Sequence, residues 1–277
     1  GDSLEVLNEY LSISVVGTRK ATQNGLKSAF DISYGLAKNN VVIISGGAIG
    51  IDSQAHKGAL QAGFKTFCVL GCGLNYNYLS ENAHLRKLIS QNGALISEYP
   101  PDYPAYSRNF PMRNRIISSL SLGTIVVEAG EKSGSIITAN LALDQNRDVF
   151  AVPGNILSKY SAGSNALIKD GAKPVTCVKD IIEEYAHLYP YLSIKSDKLQ
   201  PLQNQTKEKP IKLRELPTDL SENAKIVYNN LTYDLTQIDE ISQKTKLKVS
   251  VVLQSITELE MYGLIESYSG KRYKKVK

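Results

Sequence analysis

Cysteine and histidine are scarce in this 277-residue chain, at three each. An odd and sparse set of thiols (Cys68, Cys72, Cys177) excludes a disulfide framework and fits the reduced thiols of a cytoplasmic protein. Cys68 and Cys72 are spaced C-x-x-x-C with no second pair. Asp52 and His56 lie four apart on one helix face, but two ligands are too few for a catalytic zinc. No metal is therefore expected, and His56 reads as a structural hydrogen-bond partner. No apolar run approaches the roughly 18 residues of a membrane span, and the chain opens on Gly1-Asp2 rather than on a charged stretch leading into an apolar one. Neither a transmembrane helix nor a signal peptide is expected.

Several catalytic signatures are missing as well. There is no G-x-x-x-x-G-K-[ST] loop and no G-x-S-x-G elbow, and the glycines at 46–50 do not follow G-x-G-x-x-G. An acid that would take a ribose hydroxyl is missing from the strand ends "VLGCGLN" and "SGG". NAD, FAD and ATP hydrolysis are disfavoured, and the sequence predicts no cofactor and no catalytic residue.

What remains is an alternation. Short, continuously apolar runs at 13–17, 41–45, 66–71, 94–98, 124–128, 149–153 and 174–178 predict strands covered on both faces. Helical stretches are expected between them, at 25–38, 53–62, 80–91, 115–121, 135–145, 165–169 and 180–187. This βαβ series predicts a doubly wound, mostly parallel, Rossmann-like sheet over residues 1–188. Residues 189–220, rich in Lys, Gln and Pro, read as a linker or a partly ordered strap. Residues 221–277 give helix, helix, turn, helix and a hairpin with Ser-Gly at its tip, the pattern of a winged helix. An apolar fraction of 42% supports a real core, and a net charge of +5 allows a polyanionic partner without requiring one.

In such sheets ligands sit beyond the carboxyl ends of the strands, so the residues there matter most. "SGGAIGID" (45–52) places Ser45, Gly46 and Gly47 before a helix, a turn that either cradles an anion on its N–H groups or only makes a tight connection. "GTRK" puts Gly17, Thr18 and Arg19 after the first strand, with Lys20 beside them. "NFPMRNRIISSL" reads as a proline-bounded loop entering a helix and offers Asn109, Phe110, Arg113, Asn114 and Arg115. Its guanidinium forks suit phosphates and its aromatic ring suits a base, although a surface Arg pair beside a core Phe fits equally. "EAGEKSGSIITANLAL" presents Lys132, Ser133 and Gly134 before another helix, with Ser133 or Ser135 as its cap. Four such clusters on one sheet edge predict one electropositive cleft. A mononucleotide needs one such loop, whereas a phosphodiester chain needs several.

These blocks resemble the DNA-processing protein A family (DprA, also called Smf), whose patterns G-[ST]-R, S-G-x-A-x-G-[IV]-D, N-F-P-x-R-N-R-I-I and E-A-x-x-x-S-G-[ST]-x-x-T-A appear in order. "SEYPP", "FAVPGNI" and "SAGSNALIKDGA" match its later blocks. The likeness covers about residues 1–185, and the tail resembles the small winged helix that many members carry. It implies a non-enzymatic homodimer that binds single-stranded DNA and loads a RecA-type recombinase during natural transformation. The strand would lie across Arg19, Ser45–Gly47, Asn109–Arg115 and Lys132–Gly134. Two departures stand out. Ile49 occupies a place where many members have Arg, and a helical domain that often precedes the first block is not in this sequence.

Two rival readings differ in class. One is a hydrolase of the N-glycosidic bond of nucleoside monophosphates, a likeness of fold only; its Gly-Gly-x-Gly-Thr turn and following Glu are not reproduced in "AGEKSGS". The other is a transcription factor reading duplex DNA with its tail. The helix expected at 249–261 carries Glu258 and Glu260 and no Lys or Arg, while the basic residues sit in the wing, "GKRYKK". Weak or auxiliary contact with nucleic acid, or a protein–protein role, is expected of it.

Overall fold

Apolar runs of four or five residues are too short for core helices, and they form the strands of the larger unit, all but its two-residue edge strand. The strands are β1 (Ser12–Val16), β2 (Val42–Ser45), β3 (Thr66–Val69), β4 (Gly93–Ile96), β5 (Gly123–Val126), β6 (Asp148–Ala151) and, at the edge, β7 (Lys173–Pro174). β1, β2, β3 and β5 are buried along their whole length, as strands covered on both faces must be. The computed structural model describes residues 1–192, 220–232, 236–262, 264–268 and 272–275. It divides into two compact units, the second beginning at Glu208.

The seven strands are parallel and ordered β4-β3-β2-β1-β5-β6-β7. Ile13 of β1 is in register with Ile43 of β2 on one side and Gly123 of β5 on the other. Helices α2 (Gln23–Lys38), α3 (Ile51–Ala62) and α8 (Lys179–Tyr185) pack Ile32, Leu36, Ala55 and Ile181 against Ile13, Ile43 and Ile125 on one face. On the other face α5 (Asn109–Ser119), α6 (Gly134–Asp144) and α7 (Ala162–Lys169) set Ile117, Ala139 and Leu167 against Val42, Ile44, Phe67 and Val126. Two further helices, α1 (Val6–Glu9) and α4 (Ala83–Asn92), flank these. The chain winds outward from β1 to β4, and α5 returns it to the other side of β1. The strand order therefore reverses between β1 and β5, where a doubly wound sheet opens a crevice at its carboxyl edge.

Three local expectations shift. The helix expected from Arg115 starts at Asn109. Pro111 stands in its first turn, where a missing N–H breaks no intrahelical bond. The last strand ends at Pro174 rather than 178, because the Asp180 carboxylate accepts from the N–H groups of Thr176 (2.7 Å) and Cys177 (3.0 Å) and turns the chain into α8. The expected linker begins at 189, but Leu192 is buried in the α/β core, Tyr189 and Tyr191 pack on it, and the Tyr191 hydroxyl accepts the Leu11 N–H at 2.7 Å. Residues 193–219 of that linker lie outside the described residues.

In the smaller unit α9 (Glu222–Asn230) is capped by Ser221, whose hydroxyl accepts from Ala224 N at 3.2 Å. The pair α10 (Ile238–Thr245) and α11 (Val249–Met261) turns at Lys246, which is left-handed with φ 58°. Strands β8 (Thr236–Gln237), β9 (Ile265–Tyr268) and β10 (Arg272–Lys275) form an antiparallel sheet ordered β8-β10-β9. Val227, Ile241, Val252, Ile256, Leu259 and Tyr273 close its core. This is a winged helix. The Ser-Gly expected at the tip of its wing lies outside the described residues.

Candidate nucleic-acid interface

The glycine turn after β2 already holds an anion, and it is the chain's own. Asp52, in the first turn of α3, directs its carboxylate back over the turn and accepts the backbone N–H groups of Gly46 and of Ala48, the latter at 3.3 Å. Arg113 reaches in from α5 and donates to the carbonyls of Gly46 (2.8 Å) and Val69. Guanidinium and carboxylate crowd Gly46 so closely that a Cβ there would lie 2.7 Å from one and 2.9 Å from the other. Burial pushes the Asp52 carboxyl above its ordinary range, against the pull of Arg113 and the two N–H groups. Burial likewise lowers the Arg113 guanidinium, with Asp52 opposing. The anion site expected on Ser45, Gly46 and Gly47 is thus filled from within. Ser45 is buried and donates its hydroxyl to the Val15 carbonyl, and Gly47, at φ 67°, packs where a Cβ would meet the Cys68 sulfur.

The crevice at the β1/β5 reversal is a cleft of about 850 Å³, within the ~300–1,000 Å³ usual for ligand sites. The loop after β1 brings Gly17, Thr18, Arg19 and Lys20; α5 brings Phe110, Arg113 and Asn114; the start of α6 brings Lys132, Ser133 and Gly134; and the loop after β6 brings Lys159 and Tyr160. Arg19, Lys20, Lys132 and Lys159 are exposed, and Asp52, buried beneath, is the one acid among the lining residues. The N-terminus of α6 also faces the cleft, with Ser133 as its cap, and adds the positive end of its dipole. Phe110 positions the cations: the Arg19 and Arg113 guanidinium carbons lie 5.5 and 5.9 Å from its ring centre, and Tyr78 packs against it at 5.0 Å. At such range a cation over an aromatic face is attracted to it.

The structure therefore brings together nine of the residues singled out in the sequence and leaves five aside. Ser45, Gly46 and Gly47 are occupied as described. Asn109 is buried and donates to the Gly71 carbonyl at 3.0 Å. Arg115, one helix position beyond the Arg113–Asn114 pair that lines the cleft, pairs with Glu98 instead. Arg113 lines the cleft, but its donors point inward; it sits a full turn inside α5 because the helix starts at Asn109. Asn114 ties α5 to α6 through the Gly134 carbonyl at 3.3 Å. Lys159 and Tyr160 were not found from sequence. The signal available was "SKYSAG" after a strand end, but no glycine turn opens a helix there. Glu128, at the end of β5, accepts from the Thr22 N–H (2.8 Å) and hydroxyl (2.7 Å) and so anchors the start of α2. His56 is buried, with Nδ1 2.7 Å from the Thr66 hydroxyl, which itself donates to the Ile43 carbonyl; its pKa is pushed down to about 3, chiefly by burial. Among the described residues no three His, Cys, Asp or Glu side chains cluster as metal ligands, and no helix is long and apolar enough to cross a membrane.

Comparison with known proteins places this geometry. Residues 2–186 match the family model of the DNA recombination-mediator protein A, and residues 212–271 match that of the DprA winged helix domain. A DNA processing protein DprA of Streptococcus pneumoniae (strain ATCC BAA-255 / R6) is 44% identical over 179 residues, which is 65% of this chain and 63% of that protein. Protein Smf of Escherichia coli (strain K12) is 37% identical over 259 residues, 93% of this chain and 66% of that one. This chain thus spans about two thirds of these relatives' length. A solved structure of DNA processing protein A from Helicobacter pylori, described for its single-stranded DNA binding mode, superposes with a TM-score of 0.62 at 32% identity; the match covers 68% of this chain and 86% of that one. With a model match across its α/β unit and a second across its winged helix, the chain belongs to the DNA-processing protein A (DprA/Smf) family.

Proposed function

We propose that this chain is a non-catalytic, cytoplasmic single-stranded DNA-binding protein that acts as a homodimer, protects incoming DNA and loads a RecA-type recombinase during natural transformation. The cleft carries the DNA-binding part: four exposed cations and a helix N-terminus converge at one sheet edge, with their one acid buried. Such a surface grips phosphodiesters without reading sequence. Four neutralised phosphates give a fall of log K with log salt of about −3, at about −0.7 per phosphate on a single strand. The H. pylori relative's described binding mode supports the choice of a single strand. The recombinase and the dimer rest on the family resemblance.

A gel-shift competition tests it. Labelled oligo-dT should be displaced by unlabelled single strands at far lower concentration than by a duplex of the same length. Equal displacement would overturn the reading, and preference for one duplex sequence would favour a transcription factor. The hydrolase reading needs a carboxylate free to work on a glycosidic bond, but the cleft's Asp52 is held by the turn it fills and Glu128 is held by Thr22. Release of free base from nucleoside monophosphates would revive it.

A further inference from the structure

A row of aromatic rings leads away from the cleft along the segment between β4 and α5. The Tyr99 and Tyr103 rings are parallel, with centres 4.9 Å apart and 13° between planes, and Tyr103 meets Tyr106 edge to face at 5.7 Å. The Arg108 guanidinium lies 5.4 Å from the Tyr106 ring centre. Tyr106 is nevertheless 48% exposed, so part of its ring stays open to a ligand. Its two chain neighbours, Ala105 and Ser107, line the cleft, so the aromatic row starts at the cleft wall. The segment is also stiff. Pro100, Pro101 and Pro104 restrict its backbone, and the carbonyls of Tyr103 and Pro101 each accept a bond at 2.8 Å, from the N–H groups of Gly73 and Asn75. Asp102 balances Arg108, so this stretch from 99 to 108 offers stacking surface with no net charge.

Resting on the single-strand reading, we infer that Tyr106, with Arg108 over its ring and Tyr103 behind it, stacks an unpaired base of the strand as it leaves the cleft. The cations of the cleft hold phosphates, and the tyrosine row holds the next nucleobase. A stiff ring placed before the strand arrives gives up little freedom on binding, and any base offers it a π-face.

The full chain is titrated with oligo-dT and with an abasic deoxyribose-phosphate oligomer of equal length. Tyr106→Ala should weaken oligo-dT binding by about tenfold or more, leave the salt slope unchanged, and leave abasic binding at the wild-type level; Tyr106→Phe should restore affinity. Unchanged oligo-dT affinity in Tyr106→Ala, or equal loss on the abasic oligomer, would overturn the inference. A photocrosslink on the wild-type chain reads the same contact without mutation: 5-iododeoxyuridine in the oligonucleotide should label Tyr106, and labelling confined to other residues would sink the stack. Wild-type chain that binds no single strand at all defeats the proposed function itself, while binding without these Tyr106 effects defeats the stack alone.

Discussion

Two cations singled out in the sequence, Lys132 before α6 and Arg115 within α5, behave differently because of what they touch. Lys132 is exposed in the cleft wall, whereas Arg115 is paired with Glu98. Arg19→Ala, Lys132→Ala and Lys159→Ala should each weaken oligo-dT binding and flatten the slope of log K against log salt by about 0.7, while Arg115→Ala leaves the slope where it was. Measured slopes that moved for Arg115 and not for Lys132 would reverse the assignment. His56 gives a second handle at this scale. In the folded chain its imidazole stays neutral down to about pH 3, whereas an unfolded histidine becomes charged near pH 6.5. Protons then favour the unfolded chain between those values, so its contribution to stability is lost as pH falls from about 6.5 toward 3. Asp52, whose carboxyl is raised above its ordinary range by burial in the folded state, acts in the opposite direction as pH falls. The melting temperature is therefore compared with that of His56→Asn at each pH: the wild type should lose more between pH 6.5 and 5 than the variant does.

At the scale of the elements, helix starts are set by contacts between strand ends. Glu128 at the end of β5 bonds Thr22, the cap of α2, and Gly25 makes room for it: a Cβ at Gly25 would come 2.3 Å from the carboxylate. Alanine within a helix normally stabilises it by about 0.5–1 kcal/mol over glycine. Here Gly25→Ala should lower stability instead, by about 1–3 kcal/mol, because the carboxylate must leave Thr22 or the helix must shift. A denaturant titration decides the sign, and a more stable variant would refute the packing argument. The same logic explains what was legible in the sequence. Strands such as 42–45 and 66–69 were, because continuous Val, Ile and Phe runs have one stable use in a sheet of this kind. The start of α6 was legible to within one residue: the helix expected from 135 begins at Gly134. The role of "SGGAIGID" was not. Glycines announce a nest of N–H groups but not which anion fills it, and only the fold shows that Asp52 does. Pro111 likewise signals a helix boundary without saying on which side of it the helix lies, and Arg113 was misplaced by that ambiguity.

For the whole molecule, the division into an α/β unit and a winged helix asks which unit sets affinity. In the α/β unit the cations gather around a cleft at a sheet edge. In the winged helix, α11 is the helix that would enter a duplex groove, yet it holds Glu258 and Glu260 and no Lys or Arg; Val249 and Leu253 are exposed on it instead. A groove-reading helix needs cations facing phosphates, and this one supplies none; its exposed uncharged polar side chains are Ser250, Gln254 and Thr257. Single-strand affinity should therefore reside almost wholly in the first unit. A chain cut after Leu216 should bind oligo-dT within about threefold of the full chain and keep the same salt slope, since the phosphate contacts that set the slope are unchanged. If the shortened chain, still folded by its melting curve, lost affinity by tenfold or more with a flatter slope, the wing's Arg272, Lys274 and Lys275 would have to be counted among the phosphate contacts, and affinity could no longer be assigned to the first unit alone.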